Sequence, residues 1–574
     1  MIGTRMIPVR TRVTTCRLRP IVSPSDGVSS TAYRRREFEV DASLALIEWQ
    51  LRSRVRRSAL ADGSRVVGTI AQRVGTYGAT WTPVKRTTAH GQSTSGCRDR
   101  HIPAVSSTLV RLVRSCTRQR RCGCMAELPC RVPVMIDRIV VENFKSLRRV
   151  DLRLGRMNLF VGANASGKSN FLDLLRVLQG IGNGFTISEI LDGKPRSATS
   201  AVWDGIRGGS RRACFASAAE GLGGGDVTIE VHGRFAGGPD SPRVGVQEPD
   251  SQGELASNWE LLIAFSPTTR GVTRERFKVD TVIYDTDRVE GFSEKDAKLR
   301  IWCPVEGSQG WSVELQRTSP ALGQLQRRVW RLDSGLRDGA SSEQSEEACG
   351  ACRYLARGVA RLLANIQPIE PELSMLRAYS QVAEVQRMGE RGEDFAALVQ
   401  TLCKDDRTKD AYLSWLRQLR PEEVDDVGVR QGAMGEPLFV LKENGREFPA
   451  AILSDGTLRF AALAAAFFQP DMPDLMTIEE IENGIHANRA RLLLELLRSQ
   501  SAAANTQVVA TTHSAAVLDW LEEEDYRTTF VCRRDEETGE SRIRALADVP
   551  RFIDVVKRKP VSELLSEGWL EAAL

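Results

Sequence analysis

The sequence predicts an α/β fold, and three observations carry that prediction. From Ile136 onward, short apolar strands alternate with segments that repeat apolar residues at helical spacing. A glycine-rich turn at 162–169 joins one such strand directly to one such helix. Composition fits a chain with a packed core: of 574 residues, 41% are hydrophobic and 27% charged, which excludes wholesale disorder and collagen-like repeats. The longest apolar run, Phe460 to Phe468, has nine residues. A membrane span needs roughly 18, so no crossing helix and no membrane partner are expected.

The first 134 residues stand apart. They hold 24 Lys and Arg against 8 Asp and Glu, whereas 135–574 hold 55 against 66, so the net charge of +5 conceals a basic segment joined to an acidic body. Apart from a short helical period around Ala42 to Val55, no 3.6 or 2.0 repeat is sustained there. We divide the chain into 1–134, a basic extension that is disordered or not part of the working protein, and 135–574, the folded body. A nucleic-acid arm or a transit peptide would share that composition, but patterned sequence begins abruptly at Ile136. Cys116, Cys122, Cys124 and Cys130 lack paired C-x2-C spacing and a nearby His, which argues against a zinc cluster. The later cysteines are scattered, as reduced thiols in a cytoplasmic protein would be.

The body opens with two strands, Ile139 to Phe144 and Val150 to Leu154. A third, Asn158 to Val161, runs into Gly162-Ala163-Asn164-Ala165-Ser166-Gly167-Lys168-Ser169, followed by a helix with Phe171, Leu174, Leu175 and Leu178 on one face. This is G-x4-G-K-S between strand and helix, where glycines let backbone N–H groups curl around phosphate oxygens at a positive helix end. Lys168 would reach the outer phosphates and Ser169 would ligate Mg²⁺.

Between Lys168 and Glu479 the spacing is too long for one connection, so 180–435 is expected to be an inserted lobe of strands and helices. Val227 to Val231, Trp259 to Phe265 and Thr281 to Tyr284 read as strands, and Leu355, Val359, Leu362, Leu363 and Ile366 as one face of a helix. The segments 236–256 and 334–350 are loops by composition. No heptad run appears, which excludes long coiled-coil arms, and without them Cys349 and Cys352 do not form a metal hook.

The distal half carries the acidic chemistry. Asn444-Gly445 between Leu438 to Leu441 and Glu447-Phe448 predicts a tight hairpin, which is followed by Leu453-Ser454-Asp455-Gly456-Thr457. A short strand, Leu475 to Ile478, closes on Glu479-Glu480, the pattern in which one carboxylate holds Mg²⁺ and its neighbour orients or deprotonates water. A helix from Asn488 to Arg498 leads to the strand Gln507 to Thr512, which ends at His513-Ser514. Of five histidines, His486 and His513 fall in the loops after these two strands. Two strands near Thr528 to Cys532 and Arg542 to Leu546 and a short helix finish the chain.

In this order, G-x-N-x-S-G-K-S, L-S-D-G-T, E-E, E-N-G-I-H and T-T-H-S, the body resembles the ABC-class ATPase heads of the RecF, SMC and OLD group, often labelled AAA-type ATPases. The resemblance implies an α/β P-loop NTPase fold with an inserted β/α lobe, ATP and Mg²⁺ as cofactors, and a homodimer in the ATP state. It also implies nucleotide contacts from Gly162, Asn164, Ser166, Gly167, Lys168 and Ser169, and in trans from Ser454 and Gly456. By the same resemblance Ser169 and Glu479 hold the metal, Glu480 is the catalytic base, His513 is the switch histidine, and Glu482 to His486 face the dimer partner. Two departures stand out: Ile481 replaces the Pro usual after the acidic pair, and no glutamine loop can be placed between 180 and 260. With 61 residues after His513, an OLD-type nuclease domain and nuclease activity are not expected. The expected activity is ATP hydrolysis, in DNA repair or phage defence, acting on DNA or an effector protein. The rival readings are a nucleotide-binding regulatory or partner-switching subunit without DNA contact, and the ATPase subunit of an ABC transporter.

Overall fold

The computed structural model describes residues 134–195, 201–216, 224–235, 257–279, 281–286, 298–303, 311–327, 355–420 and 423–574. The chain divides into two units, Met1–Arg100 and His101–Leu574, and every described residue belongs to the second. The basic extension, with its cysteines and the helix expected at Ala42 to Val55, lies outside the described residues, as do Cys349, Cys352 and the segments 236–256 and 334–350 that were expected to be loops.

Strands β1 (Val134–Phe144) and β2 (Leu147–Arg153) pair antiparallel. Their tight turn holds Asn143 and Lys145 at positive φ, 60° and 52°. Along β2 the side chains alternate, Val150 and Leu152 inward, Arg149, Asp151 and Arg153 outward, the signature of a sheet with one wet face. Strand β3 (Met157–Val161) then leads into helix α1 (Lys168–Gly182), followed by α2 (Ile187–Asp192) and the small pair β4 (Lys194–Pro195) and β5 (Ala201–Trp203). Strands β6 (Val227–Phe235), β7 (Ser257–Ser266), β8 (Gly271–Val279), β9 (Thr281–Asp285), β10 (Lys298–Cys303) and β11 (Trp311–Gln316) extend the first sheet in the order β11-β10-β9-β8-β7-β6-β1-β2.

After α3 (Ala321–Arg327) and α4 (355–364) comes β12 (Ile366–Ile369), which corrects the sequence reading twice. Ile366 is not the last turn of a helix but the first residue of a strand, and that strand belongs to the second sheet, parallel to the strand that ends at Glu479. The stretch 180–435 is therefore not one continuous insertion. Helical periodicity runs past Asn365 because Ile366 continues the apolar face, and Pro368 is tolerated because β12 is an edge strand.

Helices α5 (Leu373–Leu376), α6 (Phe395–Leu402) and α7 (Asp406–Leu419) precede a third sheet, β13 (Val424–Gln431), β14 (Pro437–Glu443) and β15 (Arg446–Pro449). The turn β14–β15 has Asn444 at φ 49° and Gly445 at 73°, as an Asn-Gly hairpin requires. Then follow α8 (Asp455–Phe468), β16 (Leu475–Ile478), α9 (Ala490–Ala503), β17 (Gln507–Thr512), α10 (Ala515–Leu518), β18 (Thr529–Arg534), β19 (Ser541–Ala545), α11 (Phe552–Val556), α12 (Val561–Ser566) and α13 (Trp569–Ala572).

The second sheet, β12-β16-β17-β3-β18-β19, is parallel except for β19. Every residue of β3, β16 and β17 is buried, because α1 and the first sheet cover one face and α6 to α9 cover the other. Phe160 anchors one core, its ring 4.4 Å from Phe171 and 4.8 Å from Phe530. Gln507 stitches the sheets together: its side chain accepts from Ile136 N at 3.3 Å and donates to the carbonyls of Ile136 and Gly155 at 2.8 and 2.7 Å. This scaffold brings the carboxyl ends of β3, β16 and β17 to one edge, where open parallel sheets bind ligands.

Candidate functional site

β3 ends at Val161 and the chain turns into α1 with Gly162, Ala165 and Gly167 at φ 155°, 63° and 110°. A Cβ on Gly162 would lie 2.2 Å from the Cys532 carbonyl oxygen, and one on Gly167 2.1 Å from Ser541 Oγ, so neither position admits a side chain. Ser146 Oγ, bonded by Asn170 Nδ2 and Ser541 Oγ at 2.6 Å each, braces the loop from behind. Lys168 is 6% exposed and its ammonium donates to the carbonyls of Gly162 and Ala163 at 2.7 and 2.9 Å. Burial lowers its pKa, against the opposing pull of Cys532, Glu480, Glu482 and Glu479.

The loop fits an anion. Ser166 Oγ is buried and has no hydrogen-bond partner among the described residues, and Ala163 N already donates to a carboxylate, Glu571 of α13, at 3.3 Å. Asn164 stands exposed on the loop. Ser169 Oγ bonds directly to Glu479 Oε1, although 310 positions separate them in sequence. A hydroxyl and a carboxylate are the hard oxygen donors that suit Mg²⁺.

Glu480 sits at φ 48°, a left-handed conformation that a non-glycine residue adopts at a cost of roughly 1–2 kcal/mol. Two hydrogen bonds hold it there: Glu480 N donates to Thr511 Oγ1 at 2.9 Å and Ile481 N to the Thr511 carbonyl at 3.0 Å. Proline at 481 could not make the second bond, which gives the Ile481 departure a structural reason. The turn holds Glu480 at the end of β16, with its carboxylate 3.8 Å from His513 Nδ1.

His513 is held by Glu482, which the sequence reading assigned to an outward-facing loop. Glu482 Oε1 accepts from His513 N at 2.7 Å and Ser514 N at 3.1 Å and lies 3.0 Å from His513 Nδ1, with the side chain only 12% exposed. In the rest of that loop Asn483, Gly484 and His486 are exposed, while Ile485 packs half-buried against the core. Ser454 caps α8, accepting from Thr457 N at 3.3 Å. Gly456 backs onto the same 482–486 loop, where a Cβ would lie 2.4 Å from the Gly484 carbonyl oxygen. Among the described residues no hydrogen bond links Ser454 or Gly456 to the phosphate loop of their own chain.

The structure thus gathers Gly162, Ser166, Gly167, Lys168, Ser169, Glu479, Glu480 and His513 at one sheet edge, with Ser454 and Gly456 against the neighbouring 482–486 loop and without a hydrogen bond to the phosphate loop. Sequence reasoning missed Arg207, and it missed the contact of Glu482 to His513. Arg207 Nη1 donates to both oxygens of Glu479 at 3.1 Å, and its only sequence signal is the glycine-rich run Gly205-Ile206-Arg207-Gly208-Gly209. A cavity of about 240 Å³ beside Glu479 is lined by Asp173, Arg176, Arg207, Glu370 and Glu390. Glu370 follows β12 directly, and its carboxyl pKa is raised, chiefly by burial and next by the Glu479 charge.

Residues 135–187 match a family described as AAA ATPase domain, and residues 403–519 match one described as AAA domain, putative AbiEii toxin, Type IV TA system. The first span contains the phosphate loop, the second Ser454, Glu479, Glu480 and His513. No curated protein matches the chain. Similar solved structures include an SMC head bound to the C-winged helix domain of ScpA, 13% identical with a TM-score of 0.37, covering 72% of this chain and 98% of that one. Another is the SMC head domain of Thermotoga maritima, 12% identical with a TM-score of 0.33, covering 71% and 98%. A third is the Smc head of Pyrococcus furiosus, with an extended coiled coil and bound to the C-terminal domain of ScpA, 11% identical with a TM-score of 0.37, covering 74% and 100%.

The fold, the loop and the two family matches define an AAA/ABC-type P-loop ATPase. The order of its motifs resembles that of the RecF/SMC-like group. Among the described residues no helix is long and apolar enough to cross a membrane.

Proposed function

We propose that the protein binds and hydrolyses Mg-ATP, in a dimer that closes when ATP is bound and acts on a further partner. The observation that carries this reading is the direct bond between Ser169 and Glu479, with Lys168 behind it and Glu480 beside it. The loop amides, Ser166 and Lys168 bind the phosphates, and Ser169 and Glu479 hold Mg²⁺. When bound, Mg²⁺ neutralises charge that develops on the transferring phosphoryl group. Glu480 orients the attacking water and takes its proton, and His513, held by Glu482, contacts the phosphate end of the site. Ser454 and Gly456 reach the nucleotide of the opposite subunit, a placement favoured by the lack of a hydrogen bond, among the described residues, to their own phosphate loop.

The partner is an effector protein or DNA. Against simple DNA binding, basic side chains on the wet face of the first sheet are taken up in ion pairs: Arg138 with Asp151, Arg149 with Glu142, and Arg276 and Lys278 with Glu260. Between DNA repair and phage defence, the match of 403–519 to a family described as a putative toxin of a type IV system supports defence. We place the protein in the cytoplasm.

Lys168→Ala tests the reading. Loss of a charge-assisted contact worth about 1.5–3 kcal/mol should weaken ATP binding roughly 10- to 150-fold by calorimetry. Equal affinity in mutant and parent would mean that 162–169 is not the nucleotide loop. Phosphate release separates an ATPase from a regulatory protein that binds ATP without turnover.

A further inference from the structure

Arg207 stands on a loop built to hold it still. Gly205, Gly208 and Gly209 have φ of 75°, 84° and 58°, and the turn is pinned by Ser210 N donating to Asp192 Oδ1 at 2.8 Å and Ile206 N to the Leu191 carbonyl at 3.1 Å. Two basic side chains grip carbonyls on the loop: Arg176 Nε that of Gly205 at 2.9 Å, and Lys145 Nζ that of Arg207 itself at 2.7 Å. Lys145 also pairs with Asp173, a nearly fully buried carboxylate.

From this mount the guanidinium uses all three nitrogens. Nε donates to both oxygens of Asp173 at 3.2 Å, Nη1 to both oxygens of Glu479 at 3.1 Å, and Nη2 to the Ser169 carbonyl at 2.6 Å. Ser169 and Asp173 lie one helical turn apart on α1, so Arg207 clips the start of that helix to the end of β16. Both oxygens of the carboxylate proposed to hold Mg²⁺ therefore face a fixed cation.

We propose that Arg207 is a positioning residue that occupies Glu479 and is exchanged for Mg²⁺ when the nucleotide arrives. The proposal rests on the ATPase reading above. A divalent cation would draw on the same carboxylate oxygens and repel the guanidinium at that range, so Mg²⁺ binding would weaken the Arg207–Glu479 contact and loosen the clip between α1 and β16. The metal requirement of the site is then set in part by this arginine, and arrival of the metal is coupled to the 204–212 loop.

The test is Mg²⁺-dependent binding of a fluorescent ATP analogue, titrated with Mg²⁺ at fixed nucleotide in the full-length protein. Arg207→Ala should lower the Mg²⁺ concentration at half-saturation about three- to tenfold, because a competing cation is gone. Arg207→Lys, which keeps the charge but cannot bond Asp173, Glu479 and Ser169 together, should fall between parent and alanine variant. A merely structural role would weaken binding or leave it unchanged, so an unchanged or raised Mg²⁺ requirement in Arg207→Ala overturns the proposal. Circular dichroism establishes that the variants are folded. If Arg207→Ala does not fold, Arg207→Lys decides alone, and parental Mg²⁺ dependence in it overturns the proposal. A parent that binds no nucleotide at any Mg²⁺ concentration sinks the ATPase reading and this proposal together, whereas a Mg²⁺-dependent parent with an unshifted alanine variant sinks this proposal only.

Discussion

Glu480→Gln combined with changes at Ser454 separates a dimeric engine from a P-loop protein that works alone. Gln keeps the shape of Glu480 and the backbone bonds to Thr511 that hold its positive φ, so the fold should survive. It cannot accept the water's proton, and loss of a general base typically costs 10²–10⁴-fold in turnover. ATP should bind, hydrolysis should stall and the dimer should accumulate. Ser454 needs a control, because its hydroxyl caps α8 and either alanine or arginine there removes that bond. The cap is worth about 1 kcal/mol, and Ser454→Ala and Ser454→Arg lose it equally. Both should therefore melt at similar temperatures, while only arginine, placed on an exposed residue, obstructs an opposing nucleotide. In the Glu480→Gln background, sedimentation with ATP should show the Ser454→Ala protein as a dimer and the Ser454→Arg protein as an ATP-binding monomer. Dimers of micromolar affinity, about −8 kcal/mol, are visible at tens of micromolar protein. A Glu480→Gln protein that binds ATP tightly yet stays monomeric there would refute the sandwich mechanism and leave nucleotide binding standing.

Two further outcomes follow from single residues. Glu482→Ala removes three contacts to the 513–514 segment and should lower turnover about tenfold or more with ATP affinity kept; because it acts through His513, the double variant with His513→Ala should be no slower than His513→Ala alone. Additive losses in steady-state kinetics would show that Glu482 acts elsewhere. Glu275 is fully buried between β8 and α3, accepting from Tyr284 Oη at 2.7 Å and from the amides of Ala321 and Leu322 at 2.6 and 2.8 Å, and burial pushes its pKa up to about 7. Its folded pKa exceeds the ordinary carboxylate value, so the folded chain holds the extra proton between about pH 4.5 and 7, and stability should fall as pH rises through that window, by no more than about 3 kcal/mol. Denaturant midpoints of the parent and Glu275→Gln should diverge across it, and parallel profiles would contradict this account.

What the sequence made legible was local. Gly162 to Ser169 could be read because turn chemistry, strand and helix are contiguous, and Asn444-Gly445 because two positive φ angles demand those residue types. The placement of Glu479, Glu480 and His513 was readable because they follow two short apolar strands, and a parallel sheet lines up strand ends. Contacts created by tertiary packing were not readable. Strand β12 hid behind the apolar face of a preceding helix, and Arg207 looks like any arginine in a glycine-rich loop until Gly205, Gly208 and Gly209 are seen to fix it against Glu479. For Glu482 the resemblance implied a loop facing a dimer partner, and it carried no sign of the inward contact to His513 that packing creates. Where chemistry depends on residues one strand or one turn apart, spacing suffices. Where it depends on a cation brought across 272 positions, as Arg207 is to Glu479, only the folded sheet edge reveals it, and residues of this kind set how tightly the metal is held without altering the motif that announces it.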